Sequence, residues 1–222
     1  MAEEIMAEKI AAKLRRDILR GKYPPGSSVK ERDNAKEMGV SRTPMREAIR
    51  MLSKEGLIVL RHSRSPVVAQ PTFKEVSDAI DVLLTLENLS VQLACQNASE
   101  KDLRRVGQIN DEMADKFDRV DKLDLFELDM AFHIAIVEAT HNRSLIETYR
   151  SYLERLWRAR YLSSRQRHNR DQVIRQHAAL LDAITKGDES KAKKALHAHL
   201  GRLAIDIRPV IEAEYDLQST KA

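Results

Sequence analysis

The chain has little of what several common protein classes require. Its 222 residues include one cysteine, Cys95, which excludes an internal disulfide framework and favours a reducing cytoplasm. Seven glycines, six prolines and 5% aromatic residues supply few of the turns that a multi-stranded β protein needs. No apolar run approaches a membrane span, and the charged, amphipathic start predicts that there is no signal peptide. The composition therefore predicts a helix-rich globular protein of one or two domains, without a membrane partner.

All of the excess positive charge falls in the first third of the chain. Residues 1–70 hold 15 lysines and arginines against 9 acidic residues, a net charge of +6. The remainder holds 23 basic and 25 acidic residues, a net charge of −2. This asymmetry indicates that the first third meets a polyanion and that the rest does something else. We therefore divide the chain into one domain at 1–70 and a second at 71–222.

The first domain has the element order of a winged helix-turn-helix. Periodicity and breakers predict helices over about 4–20, 30–38 and 42–55. Two short strands follow at 57–60 and 66–69, around the polar tip RHSRS. In this motif the recognition helix enters the major groove, so we predict binding to double-stranded DNA.

The third predicted helix has two chemically distinct faces when it is rotated by about 100° per residue. The apolar arc comprises Met45, Ala48, Ile49 and Leu52, and the opposite arc comprises Arg42, Thr43, Arg46, Arg50, Ser53 and Lys54. The simpler alternative to DNA binding is that the basic arc is only exposed to solvent. However, the basic arc begins at a helix N-terminus, where free N–H groups favour a phosphate, and arginine suits bidentate contact with guanine. We therefore favour a helix that faces DNA.

The segment PPGSSVKERDNAKEMGVSRTPMREAIRMLSKEGLIVL resembles the DNA-binding domain of the GntR superfamily of bacterial transcription regulators. The resemblance covers about 8–71, and GVSRTPMREAIRML followed by EGL nearly reproduces the family signature. It implies contacts with the operator from Arg32, Ser41, Arg42, Thr43 and Arg46, and contacts from the wing tip by His62 and Arg64. Two positions depart from the family pattern. Ser63 replaces the usual glycine of the wing tip, and Asn34 replaces a buried aliphatic residue.

From residue 72 onward the sequence predicts helices and no convincing strand. Breaks at NASEKD, RVDKLD, THNRS, SRQRHNRD and KGDES divide this region into about six helices. The predicted fold is therefore mostly α, with a winged helix-turn-helix followed by an all-α bundle.

Four residues with metal-binding side chains fall on the apolar faces of these helices. They are Asp129, His133, His177 and His199. Asp129 and His133 lie one turn apart on one face, where a carboxylate is costly unless it is compensated. For each histidine alone, a hydrogen-bonded core position is the plainer interpretation. Together the four make a divalent metal site credible, and imidazole suits zinc, nickel, copper or iron while the carboxylate also admits manganese.

The segments FELDMAFHIAIVEATHNRSL, QHAALLDAI and ALHAHL are similar to the FCD effector-binding domain, which defines the FadR subgroup of the superfamily. The resemblance spans about 73–208. It implies that the four residues named above hold a metal, beside which a small carboxylate effector binds. We take zinc as the first candidate, with nickel, manganese or iron as alternatives. Members often carry an arginine four residues before the glutamate of the LE motif, and here Leu83 precedes Glu87. Arg160 is a candidate substitute in an effector pocket with Glu87, although a structural ion pair between the two is the alternative that we favour.

These patterns predict a ligand-responsive transcription regulator that binds a palindromic operator as a homodimer. We expect it to be a repressor, because repression is the commoner mode of action among relatives. A dimer is expected because one recognition helix covers only a few base pairs. The first alternative is a metal-dependent hydrolase, with Glu87 as the one plausible general base. The second is an architectural nucleic-acid protein, which the non-basic remainder disfavours. The chain has no nucleophile elbow, P-loop or cofactor fingerprint, so we do not expect an enzyme.

Overall fold

The computed structural model describes residues 2–165 and 170–219, and within them the side chains of 5–165 and 170–214. The chain forms two compact units, Met1–Thr72 and Phe73–Ala222. Across these described ranges, no helix combines the length and apolarity that a membrane span requires.

The first unit is a winged helix-turn-helix, as predicted. Its three helices and two strands are α1 (Ala2–Leu19), α2 (Glu31–Glu37), α3 (Arg42–Lys54), β1 (Ile58–Arg61) and β2 (Arg64–Val68). The strands pair antiparallel, with Ile58 opposite Val68, and form the hairpin that corresponds to the wing.

Helix α3 is held to the core by the apolar arc that its periodicity predicts. Met45, Ala48, Ile49 and Leu52 are each 1% exposed or less. They belong to one core cluster with apolar residues of α1 and the hairpin. An ion pair between Arg15 and Glu55 also ties α1 to the C-terminal end of α3, with a nitrogen–oxygen distance of 2.5 Å. The opposite face of α3 is thereby left to solvent.

Asn34 is buried in α2 at the position where the family usually has an aliphatic residue. Its Oδ1 accepts a hydrogen bond of 2.5 Å from the Tyr23 hydroxyl, and its Nδ2 donates to the Lys30 carbonyl at 2.9 Å. Because these bonds satisfy both ends of the amide, the polar side chain is accommodated without an unpaired buried group.

The second unit is an all-α bundle, which confirms the predicted class. Its helices are α4 (Phe73–Asn97), α5 (Glu100–Lys116), α6 (Lys122–Glu138), α7 (Arg143–Ser164), α8 (Arg170–Thr185), α9 (Glu189–Leu200) and α10 (Leu203–Ser219). The described part of this unit thus has one helix more than the six predicted, because α9 and α10 are separate. The predicted break at SRQRHNRD falls mainly on 166–169, which lie outside the described residues.

Gly201, the C-cap residue of α9, occupies a position with no room for a side chain. A Cβ atom at this position would lie 2.5 Å from the carbonyl oxygen of His197, closer than real Cβ atoms come to a neighbour. Only glycine therefore fits this close approach without displacing the last turn of α9. That turn carries His199, so the position of this helix end bears on the site described next.

Candidate metal centre and DNA-binding surface

The four residues that the sequence predicts as metal ligands converge in the interior of the bundle. Asp129 and His133 come from α6, His177 from α8 and His199 from α9. One potential ligand atom from each lies within 4.8 Å of the other three. The three histidines are buried and Asp129 is half-buried, so three helices bring their donors to one point.

The distances between these atoms suit ligands that share one metal ion. His199 Nε2 lies 3.2 Å from His133 Nε2 and 3.1 Å from His177 Nε2. Asp129 Oδ1 lies 3.2 Å from His177 Nε2 and 4.0 Å from His133 Nε2. Neighbouring ligands that are each about 2.1 Å from a zinc-like ion are separated by about 3.0–3.4 Å. The donor set and its spacing therefore fit a divalent metal.

The outer nitrogens of two of these rings have partners of their own. His133 Nδ1 lies 3.3 Å from Glu87 Oε1, and His199 Nδ1 lies 3.1 Å from Gln176 Oε1. Gln176 is itself oriented, because its Nε2 donates to the Ala198 carbonyl at 2.8 Å. An oxygen that accepts a proton from Nδ1, as Gln176 Oε1 can for His199, leaves the Nε2 lone pair free, as a metal ligand requires. Glu87 lies close enough to favour the same form of His133 by its charge, although this contact lacks hydrogen-bond geometry.

Packing fixes the third ring. His177 stacks on Phe132, with ring centroids 3.9 Å apart and an angle of 6° between the planes. Both side chains are fully buried. The position of the His177 ring is therefore set before any ligand binds.

Asp129 and Glu87 remain ionised despite their burial. Burial alone would raise the pKa of Asp129, but His177, His133 and His199 outweigh it and lower the pKa. Burial likewise opposes ionisation of Glu87, yet His133, Arg160 and Tyr149 lower the pKa of this carboxyl. Asp129 can therefore act as an anionic metal ligand, and Glu87 as an anionic partner of His133.

Glu87 and Arg160, the predicted effector-pocket pair, lie on the outer side of His133. Glu87 Oε1 accepts a hydrogen bond of 2.7 Å from the Tyr149 hydroxyl. Arg160 Nη1 lies 3.8 Å from the same oxygen, and the Arg160 side chain is 3% exposed. This contact has the form of the structural ion pair that we considered as the alternative. A role of the pair in effector binding stays a prediction.

A cavity of about 240 Å³ adjoins the cluster at Asp129. Asp129 forms part of its wall, and five of the other lining residues are apolar, namely Met113, Phe117, Leu125, Phe126 and Val173. Among the described residues, Asp118, Lys122 and Ser164 also line the cavity, whereas Glu87 and Arg160 do not. Sequence reasoning could not find this cavity, because its existence depends on how four helices pack.

The residues predicted to contact DNA are all exposed on the first unit. They are Arg32, Ser41, Arg42, Thr43, Arg46, Arg50, His62 and Arg64. Ser41 is the N-cap residue of α3, but its side chain makes no capping hydrogen bond. Arg50 pairs with Glu47 at 2.6 Å within α3, whereas Arg42 and Arg46 both approach Glu31 of α2. Sequence reasoning did not anticipate this contact between helices.

The wing tip carries His62 and Arg64 around a residue with an unusual backbone conformation. Ser63 has a φ of 54°, in the left-handed region that glycine adopts most easily. The Arg61 guanidinium closes the tip by donating to the Ser65 carbonyl at 2.9 and 2.7 Å. The tip therefore retains the conformation of a glycine turn although a serine occupies it.

A winged helix-turn-helix with an exposed arginine face, joined to a helical bundle, defines the class of two-domain transcription regulators. Comparison with family models makes this specific. The model of bacterial regulatory proteins of the gntR family matches residues 6–68, and the FCD domain model matches 78–202. The chain belongs to the GntR family and carries an FCD domain. The first domain implies DNA binding, and the second implies a small-molecule effector.

Individual relatives agree with this assignment. The chain is 26% identical to the uncharacterized HTH-type transcriptional regulator YdhC of Bacillus subtilis, over 90% of this chain and 89% of that protein. It is 25% identical to the HTH-type transcriptional repressor RspR of Escherichia coli, over 91% of this chain and 89% of the repressor. The fold is similar to that of E. coli McbR/YncC, with a TM-score of 0.74, 17% identity, and coverage of 95% and 98% of the two chains.

These comparisons also decide between the classes of function. The family and the names of the relatives identify a transcription regulator and not an enzyme. The alternative of a metal-dependent hydrolase receives no support from them.

Proposed function

We propose that the protein is a homodimeric repressor of the FadR subgroup that acts in the cytoplasm. In this proposal it binds a palindromic operator and responds to a small carboxylate held beside a divalent metal. One observation carries the sensing part of the proposal: Asp129 belongs both to the Asp–His cluster and to the wall of the adjacent cavity. A ligand in that cavity would therefore touch the metal site directly.

The exposed face of α3 would read the operator. Arg42 and Arg46 would contact base edges or phosphates, with Ser41 and Thr43 at the helix N-terminus near the backbone. Arg32 of α2, Arg50 of α3 and the wing residues His62 and Arg64 would complete the contacts. Loss of one arginine contact to a base should weaken operator binding by about 1–3 kcal/mol.

The Asp–His cluster would hold the metal, with zinc as the first candidate and nickel, manganese or iron as alternatives. When bound, the ion supplies positive charge that can hold a carboxylate. This matters because Leu83, buried on α4, stands where relatives often have an arginine for that purpose. The apolar cavity wall would then enclose the rest of the effector.

The dimer interface that we propose is a stripe on α4 that meets the same stripe of a second copy. It comprises Ala79, Val82, Leu86, Leu89 and Leu93, which alternate at spacings of 3 and 4 residues. Val82 is 38% exposed and Leu89 is 41% exposed, which is unusual for apolar residues at such spacing.

The charges along α4 favour an antiparallel arrangement of the two stripes. Glu75, Asp78 and Asp81 are acidic and lie in the first half of α4, where Lys74 already pairs with Asp78. The exposed residues of the second half are uncharged. Antiparallel pairing therefore avoids acidic residues facing one another, and its two-fold symmetry matches a palindromic operator.

The test of the operator model is recovery of fragmented host genomic DNA by the purified protein at near-physiological salt, followed by sequencing. Salt matters because phosphate binding without sequence preference dominates at low ionic strength. We expect a short palindrome upstream of a few operons. Arg46→Ala should reduce this enrichment strongly, whereas Arg104→Ala, an equal loss of charge on exposed α5, should not. Recovery of DNA without a shared site would contradict the model.

The effector model has its own test with the recovered operator fragment. Metabolites of the enriched operons are added to metal-loaded protein, and operator affinity is measured. A carboxylate among them should change that affinity, and the operator should change the carboxylate's affinity by the same factor. If no carboxylate couples to DNA binding, the effector model is wrong while the operator model stands.

A further inference from the structure

One carboxylate lies against two of the arginines on the exposed face of α3. Glu31, the first residue of α2, accepts from Arg46 Nε at 3.4 and 3.3 Å, and Arg42 Nη2 lies 3.6 Å from its Oε2. The Glu31 side chain is 22% exposed, against 62% for Arg42 and 48% for Arg46. The carboxylate thus comes from a neighbouring helix and is the least exposed of the three groups.

This arrangement affects how the arginines can meet DNA. Two guanidinium groups repel each other, and each has a long side chain with many rotamers. A shared carboxylate offsets the repulsion and reduces the number of rotamers, so that less freedom is lost on binding. The same negative charge weakens the attraction to phosphates, which is independent of sequence. Both effects favour the reading of bases over binding to the backbone.

We propose that Glu31 is a positioning residue that sets the operator specificity of α3 by aligning Arg42 and Arg46. This inference rests on the proposed function, because it requires that these two arginines meet the operator. Glu31 touches no base in this proposal and acts through the guanidinium groups.

Asp33 provides a matched control on the same helix. It lies two residues further along α2, its side chain is 66% exposed, and it pairs with Lys30 at 3.8 Å. Asp33→Asn removes the same charge from the same short helix as Glu31→Gln does. A purely electrostatic effect on DNA binding should therefore be similar in the two variants.

The experiment measures the affinity of the full-length protein for two DNA fragments of equal length. One is the most enriched genomic fragment from the pull-down, and the other is its scrambled sequence. We expect Asp33→Asn to raise both affinities and to leave their ratio unchanged within about twofold. Glu31→Gln should raise the affinity for the scrambled fragment but lower the ratio by about tenfold or more, the size of one lost base contact.

Two further variants separate positioning from other roles. Glu31→Asp keeps the charge but shortens the side chain, so we expect a lower ratio with unchanged affinity for the scrambled fragment. In an Arg46→Ala background the effect of Glu31→Gln on the ratio should shrink, because one of the two arginines that Glu31 aligns is gone. A structural role in packing α2 on α3 would persist in that background. The midpoint of thermal unfolding of each variant establishes that it is folded.

Three results would overturn the inference. In the first, Glu31→Gln and Asp33→Asn would have the same ratio of affinities for the enriched and scrambled fragments. In the second, Glu31→Gln would lower this ratio as much in the Arg46→Ala background as in the wild-type background. In the third, Glu31→Gln would change the base preferred at one position of the operator whether or not Arg46 is present, which would mean that Glu31 reads a base itself. If the wild-type protein prefers neither fragment, the proposed function fails as well, and this result is distinct from the other three.

Discussion

The Nδ1 atom of His133 lies 3.3 Å from Oε1 of Glu87, and both side chains are fully buried. Glu87 belongs to α4, the helix whose other face carries the apolar stripe from Ala79 to Leu93. One helix therefore contacts a proposed metal ligand on its inner face and presents the proposed dimer interface on its outer face. A shift of α4 on effector binding would reach both subunits, which gives the proposed coupling a physical route.

Glu87→Gln should weaken metal binding without abolishing it. The amide keeps the shape of the side chain but loses the charge that favours the required form of His133. Loss of such an outer partner reduces metal affinity by about 10–100-fold. Zinc affinity, measured by competition with a chromophoric chelator, checks this. Glu112→Gln on exposed α5 is the control, and equal zinc affinity in all three proteins would contradict the prediction.

Zinc should stabilise the protein through His199 but not through His197. Both histidines are on α9, but His197 is exposed and lies outside the cluster. At a zinc concentration of about 100 times its dissociation constant, the stabilisation amounts to about 2.7 kcal/mol. We expect the thermal midpoint to rise in wild type and His197→Ala, to fall back with chelator, and to stay constant in His199→Ala. A zinc response that survives in His199→Ala would refute the four-ligand site.

The metal-free protein should lose stability in acid partly through Glu87. The pKa of this carboxyl is lowered from its ordinary 4.5 in the folded state. A carboxyl with a lowered pKa contributes stability above its unfolded pKa, and this contribution is lost as the pH falls through the folded value. The difference in free energy of unfolding between wild type and Glu87→Gln should therefore shrink as the pH falls below about 5. Urea unfolding across this range tests the prediction, and a constant difference at all pH values would oppose it.

Leu89→Glu should dissociate the proposed dimer. Leu89 is 41% exposed on the α4 stripe, and a charge there would be buried among the apolar residues of the partner copy. The dimer dissociation constant should rise by about tenfold or more. Sedimentation velocity measures this dissociation constant. Asn88→Glu is the control, because Asn88 is exposed and adjacent in sequence but does not belong to the stripe. Equal dissociation constants for the two variants would rule out this interface.

Tyr23 and Asn34 should behave as a coupled pair. Tyr23→Phe leaves the buried Asn34 Oδ1 without its partner, which should cost about 1–3 kcal/mol of unfolding free energy. Combining it with Asn34→Leu removes both polar groups and should recover most of that loss. Chemical unfolding of the single and double variants gives the coupling energy. Additive losses would show that the hydrogen bond contributes little.

Periodicity predicted those features that depend on one helix at a time. In α3 a rotation of about 100° per residue separated the buried Met45 and Ile49 from the exposed arginines. The same reasoning assigned His133, His177 and His199 to inner faces, and all three are buried. A helix face is a property of local sequence, so these predictions needed no knowledge of how helices pack.

Contacts between helices could not be predicted in this way. Three such contacts depend on how separate helices are placed. They are the contacts of Glu31 with Arg46, of Gln176 with His199 and of Tyr149 with Glu87. The boundary between α9 and α10 was missed because a single glycine within a helical pattern is often tolerated. Glycine is required at position 201 because the His197 carbonyl lies so close to it, and that contact is visible only in the three-dimensional structure.

The spacing of the cluster along the chain has a consequence for biosynthesis. His199 follows Asp129 by 70 residues, and α9 is the last helix to contribute a ligand. On the ribosome the winged unit, with its own core, emerges long before that helix. Under the proposed function, a nascent chain that stops between α8 and α9 would carry the surface that reads the operator but an unfinished metal site. Premature termination there would yield fragments that compete for operators without sensing the effector.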